Sequence, residues 1–132
     1  MTGETDLATM LATLRIERRE PAVTVVHLPS PVELGDGVLA LVSEAEGTTA
    51  VVSIAEAERR GWPVEFRAAW LTVSVHSSLE AVGLTAALAT ALAERGIACN
   101  VLAGYFHDHL LVPLDRADAA VECLESLADR EA

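Results

Sequence analysis

The chain has 132 residues, 52 % of them hydrophobic, and a formal net charge of −11. This length suffices to bury a core without disulfides or metals, and the composition argues against disorder away from the ends. The charge argues against nucleic acid, whose phosphates need clustered basic residues, and against an anionic membrane surface.

The residue inventory narrows the chemistry further. All nine basic residues are arginine, which excludes a Schiff-base lysine, a pyridoxal phosphate anchor and a P-loop lysine, and we expect no cofactor. No apolar run reaches the ~20 residues of a membrane span, and the N-terminus does not resemble a signal peptide. Cys99 and Cys123 are therefore expected to be reduced thiols in a cytoplasmic protein.

The first 63 residues alternate helix and strand signals. Apolar residues at 3- and 4-residue spacing predict a helix over 6–15, and valines after Pro21 predict a strand over 22–28. Strands are expected at 38–43 and 48–53, joined by a hairpin loop. Ser53 and Glu56 fit a capping box for a helix that ends before Gly61.

The second half begins with a long extended run, 64–75, which we expect to serve two sheets. Ser77 and Glu80 form a second capping box, which predicts a helix over 78–95 that stops at Gly96. Strands at 97–104 and 110–114 and a helix from Asp115 to about residue 128 follow.

Residues 70–128 thus read as the strand–helix–strand–strand–helix order of a split ferredoxin-like unit, whose closing strand is missing. Residues 22–28 are one candidate for that strand, and 64–69 are a candidate to close the first unit. We predict an α+β fold of two such units, 1–63 and 64–132, interleaved and with the first one degenerate.

Two stretches carry a family resemblance: 70–88, WLTVSVHSSLEAVGLTAAL, and 96–110, GIACNVLAGYFHDHL. They resemble the bacterial ACT-like family long catalogued as a domain of unknown function, which is similar to the tandem ACT regulatory regions of aspartate kinases. The resemblance is dense from Trp70 to Pro113 and weaker over residues 1–60. It implies two ACT-like units and a role in binding an amino acid between them.

The same resemblance implies a site at the turn before the long helix. A helix start offers free backbone N–H groups and suits a carboxylate, although helix capping alone also explains Ser77. Asn100, in an apolar strand, is expected to be buried, and its amide therefore either bonds backbone or faces a ligand. The candidate ligand-binding residues are His76, Ser77, Ser78, Leu79, Val82, Gly83, Asn100 and Val101.

The segment Tyr105–His109 offers other chemistry. His107 and His109, with His76, are candidate metal ligands, but no cysteine or carboxylate cluster accompanies them. The alternative is a polar hairpin turn with one buried histidine bonded to a carbonyl. Ser77 or Ser78 could also be considered as a nucleophile, but neither serine lies in a Gly-x-Ser-x-Gly motif.

The sequence is therefore compatible with three functions. The first is a regulatory module, not an enzyme, that binds a small effector such as an amino acid. The second is a non-catalytic dimerisation or interaction module that pairs through its sheets, with a homodimer as the expected assembly. The third is a histidine-dependent metal-binding protein or enzyme.

Overall fold

The structure is a computed structural model. It describes residues 6–75 and 82–131, and it describes side chains as far as Ala128. The described residues form four helices and six strands, together with a 3-10 turn at Leu114–Arg116. In chain order the helices and strands are α1 (Leu7–Ala12), β1 (Arg15–Leu28), β2 (Val38–Glu44), β3 (Gly47–Ser53), α2 (Ile54–Arg60), β4 (Ala68–Ser74), α3 (Leu84–Glu94), β5 (Asn100–Ala103), β6 (Asp108–Pro113) and α4 (Ala117–Glu131).

All six strands form one sheet in the order β2-β3-β1-β4-β6-β5, and every neighbouring pair is antiparallel. The expectation that the run 64–75 serves two sheets is therefore wrong. Only Ala68–Ser74 of that run is strand, and it lies between β1 and β6 in the single sheet. The α+β prediction with two ACT-like units is confirmed.

Strand β1 joins the two halves of the sheet. Residues 23–28 pair with β3, and residues 15–19 pair with β4. Of the predicted strand 22–28, only Val23 pairs with β4, so the segment beside the second unit is mainly 15–19. Because Arg15, Glu17 and Arg19 have polar side chains, the hydrophobic pattern of the sequence does not predict this half of the strand.

The helices cover one face of the sheet. Alternate residues of β4 and β6, such as Leu71, Val73 and Leu110, pack beneath α1, α3 and α4, while α2 packs through Ala57 on Val26 and Val52 of the same face. We call the opposite face the open face. It holds a smaller buried cluster that includes Val23, Trp70 and Leu111, against which Phe66 and Leu102 pack.

Local signals place most helix ends correctly. The Ser53 hydroxyl accepts from the Glu56 N–H at 3.0 Å, and Gly61, with φ of 73°, ends α2. The Glu56 carboxylate completes no capping box, because it pairs with Arg59 and Arg60. Helix α3 begins at Leu84 and not at residue 78, since Gly83 has a φ of 99°, outside helical geometry.

One buried hydroxyl lacks a partner within the described part of the chain. Thr24 is fully buried on the helix-covered face, and its Oγ1 makes no hydrogen bond there. A buried hydroxyl without a partner costs free energy, because it has left water without compensation.

Thr24→Val is therefore expected to raise the free energy of unfolding by about 1 to 2 kcal/mol, since it replaces the hydroxyl by a methyl group of similar size. Urea unfolding measures the change. The matched control is Thr72→Val: Thr72 is similarly buried, but its hydroxyl bonds His109, so this change is expected to destabilise the protein by about 1 kcal/mol. A loss of stability in Thr24→Val would contradict the prediction.

Candidate functional site

A cleft of about 650 Å³ lies where β4 leaves the sheet. Its walls come from the first residues of β1, the last residue of β4 and the C-terminal half of α4. The lining residues are Leu14, Arg15, Ile16, Glu17, Ser74, Glu125 and Ala128. The volume lies within the ~300–1,000 Å³ typical of small-molecule sites.

Charges of both signs line this cleft. Arg15 lies directly opposite Ser74 in the β1–β4 pairing, and it makes no ion pair with any residue that the structure describes. Glu17 and Glu125 supply carboxylates, and Leu14, Ile16 and Ala128 supply apolar wall. A guanidinium can bind a carboxylate through two parallel hydrogen bonds, and a carboxylate can accept from an ammonium group. The cleft is thus chemically complementary to a zwitterion.

Half of the predicted ligand-binding residues lie outside the part of the chain that the structure describes. His76, Ser77, Ser78 and Leu79 lie outside the described residues, as does Glu80 of the predicted capping box. They follow in sequence from Ser74, which lines the cleft. Val82 is 83 % exposed, and Gly83 precedes α3 beside Leu7 of α1.

Asn100 and Val101 lie elsewhere. Asn100 is exposed, so the expectation of a buried amide is wrong; it begins β5, which is the last strand of the sheet and pairs only with β6. Asn100 is level with Leu111 and, one strand further, with Trp70. Ser74, which lines the cleft, is four residues beyond Trp70, about 13 Å along the strand direction. One chain therefore does not bring Asn100 to the cleft.

A second group of polar residues, on the open face, surrounds His109. The Trp70 indole N–H donates to His109 Nδ1 at 3.1 Å, and the Thr72 hydroxyl lies 3.1 Å from the same nitrogen. Because an indole N–H only donates, Nδ1 is the acceptor, and the proton of the neutral ring is on Nε2. Arg19 lies over the Trp70 ring, with its guanidinium carbon 4.9 Å from the ring centroid.

The metal hypothesis gains no support from the part of the chain that is described. The rings of His107 and His109 are 6.4 Å apart between centroids, and Nδ1 of His109 is occupied by Trp70 and Thr72. Among the described residues, no three histidine, cysteine or acidic side chains are grouped closely enough to hold a metal ion. His76, the third predicted ligand, lies outside them. Cys99 and Cys123 are free thiols, as expected.

Sequence reasoning missed Arg15, Glu17, Arg19 and Thr72 as site residues. A signal was present: charged residues at every second position from Arg15 to Arg19 are typical of one exposed strand face. The pattern does not predict that this strand pairs with β4. That pairing sets Arg15 opposite Ser74 and Arg19 opposite Trp70.

Comparison with known proteins identifies both halves. Two family models of the ACT domain match the chain, one over residues 2–69 and one over residues 65–126. None of the curated proteins matches it. No helix of the described residues is long and apolar enough to cross a membrane.

Three solved structures are similar. A Vibrio cholerae protein of unknown function, described as a possible transport protein, is 34 % identical, with a TM-score of 0.81 over 92 % of this chain and 95 % of that one. An Agrobacterium tumefaciens protein has 13 % identity and a TM-score of 0.62, over 87 % and 89 % of the two chains. Clostridium acetobutylicum aspartate kinase, described as an allosteric enzyme, has 11 % identity and a TM-score of 0.61, over 86 % of this chain and 34 % of the enzyme. The last two likenesses are evidence of fold alone.

Gly104 is expected to be required for the placement of His109. A Cβ at this position would lie 2.7 Å from the His107 carbonyl oxygen and 3.0 Å from His109 Nε2, so Gly104→Ala is predicted to cost about 1 to 3 kcal/mol through backbone displacement. Gly35→Ala is the control, because a Cβ there meets nothing within 4 Å. Thermal unfolding compares the two variants, and equal midpoints would contradict the prediction.

Proposed function

Because the chain belongs to the ACT-domain family, whose modules are regulatory and bind small-molecule effectors, we propose that it is a regulatory module whose effector is an amino acid. ACT domains are not catalytic, and we assign no reaction to the chain. Its two free thiols favour a reducing compartment, and we place its action in the cytoplasm.

The observation that carries the proposal is the presence of both a guanidinium and carboxylates in the lining of the cleft at the end of β4. In the proposed complex Arg15 binds the carboxylate of the amino acid, while Glu17 or Glu125 accepts from its ammonium group. Ser74 adds a hydroxyl, and Leu14 and Ile16 contact the apolar part of the ligand.

The turn predicted from the sequence extends this site. His76, Ser77, Ser78 and Leu79 begin two residues after Ser74, and Val82 and Gly83 precede α3. We propose that backbone N–H groups and hydroxyls of this segment complete the binding of the carboxylate, as the resemblance to ACT units implies.

The division of the chain into two units, 1–63 and 64–132, stays a prediction.

Arg15→Gln tests the proposed role of the guanidinium. A charge-assisted hydrogen bond contributes about 1.5 to 3 kcal/mol, so the variant is expected to weaken binding of the best amino acid by about 10- to 100-fold. A thermal-shift screen of the twenty amino acids at millimolar concentration identifies that ligand, and isothermal titration calorimetry measures both proteins.

Arg67→Gln is the matched control, because Arg67 is exposed and its side chain bonds no other described residue. This variant is expected to bind as the wild type does. If no amino acid stabilises the protein, the choice of effector is wrong; if one binds and Arg15→Gln binds it equally well, only the assignment of the cleft is wrong.

We also propose that the chain forms a homodimer through β5. This strand has a sheet neighbour on one side only, its four residues carry no charge, and Val101 is 38 % exposed. Tyr105 and Phe106, at the adjoining turn, are 70 % and 78 % exposed. Unpaired backbone groups on an uncharged edge favour pairing with another strand. A ligand-binding role for Asn100 and Val101 stays a prediction.

Val101→Glu is expected to convert the dimer to a monomer, because it places a charge, and in a two-fold pair two like charges, at the interface. Light scattering coupled to size-exclusion chromatography measures the mass. Val42→Glu, at a 43 % exposed valine of β2 at the other end of the sheet, is the control and is expected to remain dimeric. A wild-type chain that stays monomeric at all concentrations contradicts the proposal.

A further inference from the structure

The hydrogen bonds around His109 tolerate only one protonation state of its ring. Nδ1 accepts from the Trp70 indole N–H, so a proton on Nδ1 would set two donors facing each other at 3.1 Å. The Thr72 hydroxyl can turn and accept from a protonated Nδ1, because a hydroxyl both donates and accepts. The indole N–H can only donate. Protonation therefore removes the Trp70 bond and spares the Thr72 bond.

Burial makes that loss consequential. Trp70 is 4 % exposed and Thr72 is 5 % exposed, so water does not reach the indole N–H without movement. A buried donor that has lost its acceptor is costly. The native arrangement thus cannot accept the proton and stay as it is: either the imidazole or the indole has to move.

The positive charges near His109 also oppose protonation of its ring. Arg19 of β1 covers the Trp70 ring, and the His107 ring lies beside that of His109. Glu17 of β1, opposite Thr72, and Asp108, next to His109, are the acidic groups at this place. Burial first, then the positive charges of Arg19 and His107, lower the pKa of His109 from its ordinary value of 6.5, and Asp108 offsets this in part.

We propose that His109 is a proton-sensitive switch of the open face: when Nδ1 takes a proton from solvent, the Trp70 indole N–H loses its acceptor and the two rings separate, while the Thr72 hydroxyl keeps its bond to His109. This switch does not depend on the proposed effector. It adds a pH response at Trp70 of β4, the strand whose last residue, Ser74, lines the cleft.

The direction of the pH effect follows from the lowered pKa. At and above neutral pH, His109 is neutral in both the folded and the unfolded chain, and its contribution to stability is complete. As the pH falls through 6.5, the unfolded chain binds the proton more readily than the folded one, and stability declines. The decline from this group ends once the pH is below the pKa of His109 in the folded protein.

The test is an NMR titration of the whole protein between pH 8 and pH 5, without effector. The chain has two tryptophans, so two indole N–H signals are expected, assigned with Trp62→Phe and Trp70→Phe. The Trp70 signal and the His109 ring signals are expected to change with one shared midpoint below 6.5, and the Trp70 N–H to exchange faster with water on the acid side. The Trp62 signal is the internal control for general acid effects.

Three variants make the outcome decisive. His109→Gln is expected to abolish the change at Trp70, because a carboxamide oxygen accepts from the indole at every pH in the range. His107→Gln and Arg19→Gln, both at exposed positions, are expected to fold and to move the midpoint upward, because each removes a neighbouring positive charge. A Trp70 signal that stays constant while His109 titrates overturns the proposal, and so does a change at Trp70 that persists in His109→Gln.

Discussion

The architecture depends on one strand that pairs with two different neighbours. Residues 23–28 of β1 continue the hairpin of β2 and β3, while residues 15–19 of the same strand supply a neighbour to β4. Backbone N–H and C=O groups in a sheet need partners, so without 15–19 the strand β4 would have an unpaired edge. The two ACT-like units therefore share their hydrogen bonding, while the helix-covered face holds two separate buried clusters, one under α1, α3 and α4 and one under α2.

Local patterns were sufficient for elements whose ends carry their own chemistry. The Ser53 cap and the glycine at 61 bound α2, and the alternation of small and β-branched residues places β2 and β3, because these effects act over a few residues. Two elements were misplaced for reasons of longer range. The polar half of β1 becomes strand through its pairing with β4, and α3 begins at Leu84 because of the positive φ of Gly83.

The site was less predictable than the fold for the same reason. The Trp70–His109 hydrogen bond joins residues 39 positions apart, and it requires the register between β4 and β6 that sets Thr72 opposite His109. His109 was noticed as a possible metal ligand, but its actual partners are an indole and a hydroxyl. Asn100 was taken as buried because its neighbours are apolar, yet a strand with a neighbour on one side only exposes such residues. The cleft combines residues 14–17 with residue 74 and with residues 125 and 128, and no short sequence window contains all of them.

The two ends of the sheet differ in charge. The end formed by β2 carries Glu44, with Glu46 in the following turn, whereas β5 carries no charged residue. In the proposed dimer, contact through β5 alone is isologous and closes after two copies. Were both ends equally receptive, each chain would add to the next and the sheets would grow into a filament without limit. Two carboxylates at one end would therefore favour a discrete dimer over a fibre if the chain associates through β5 as proposed.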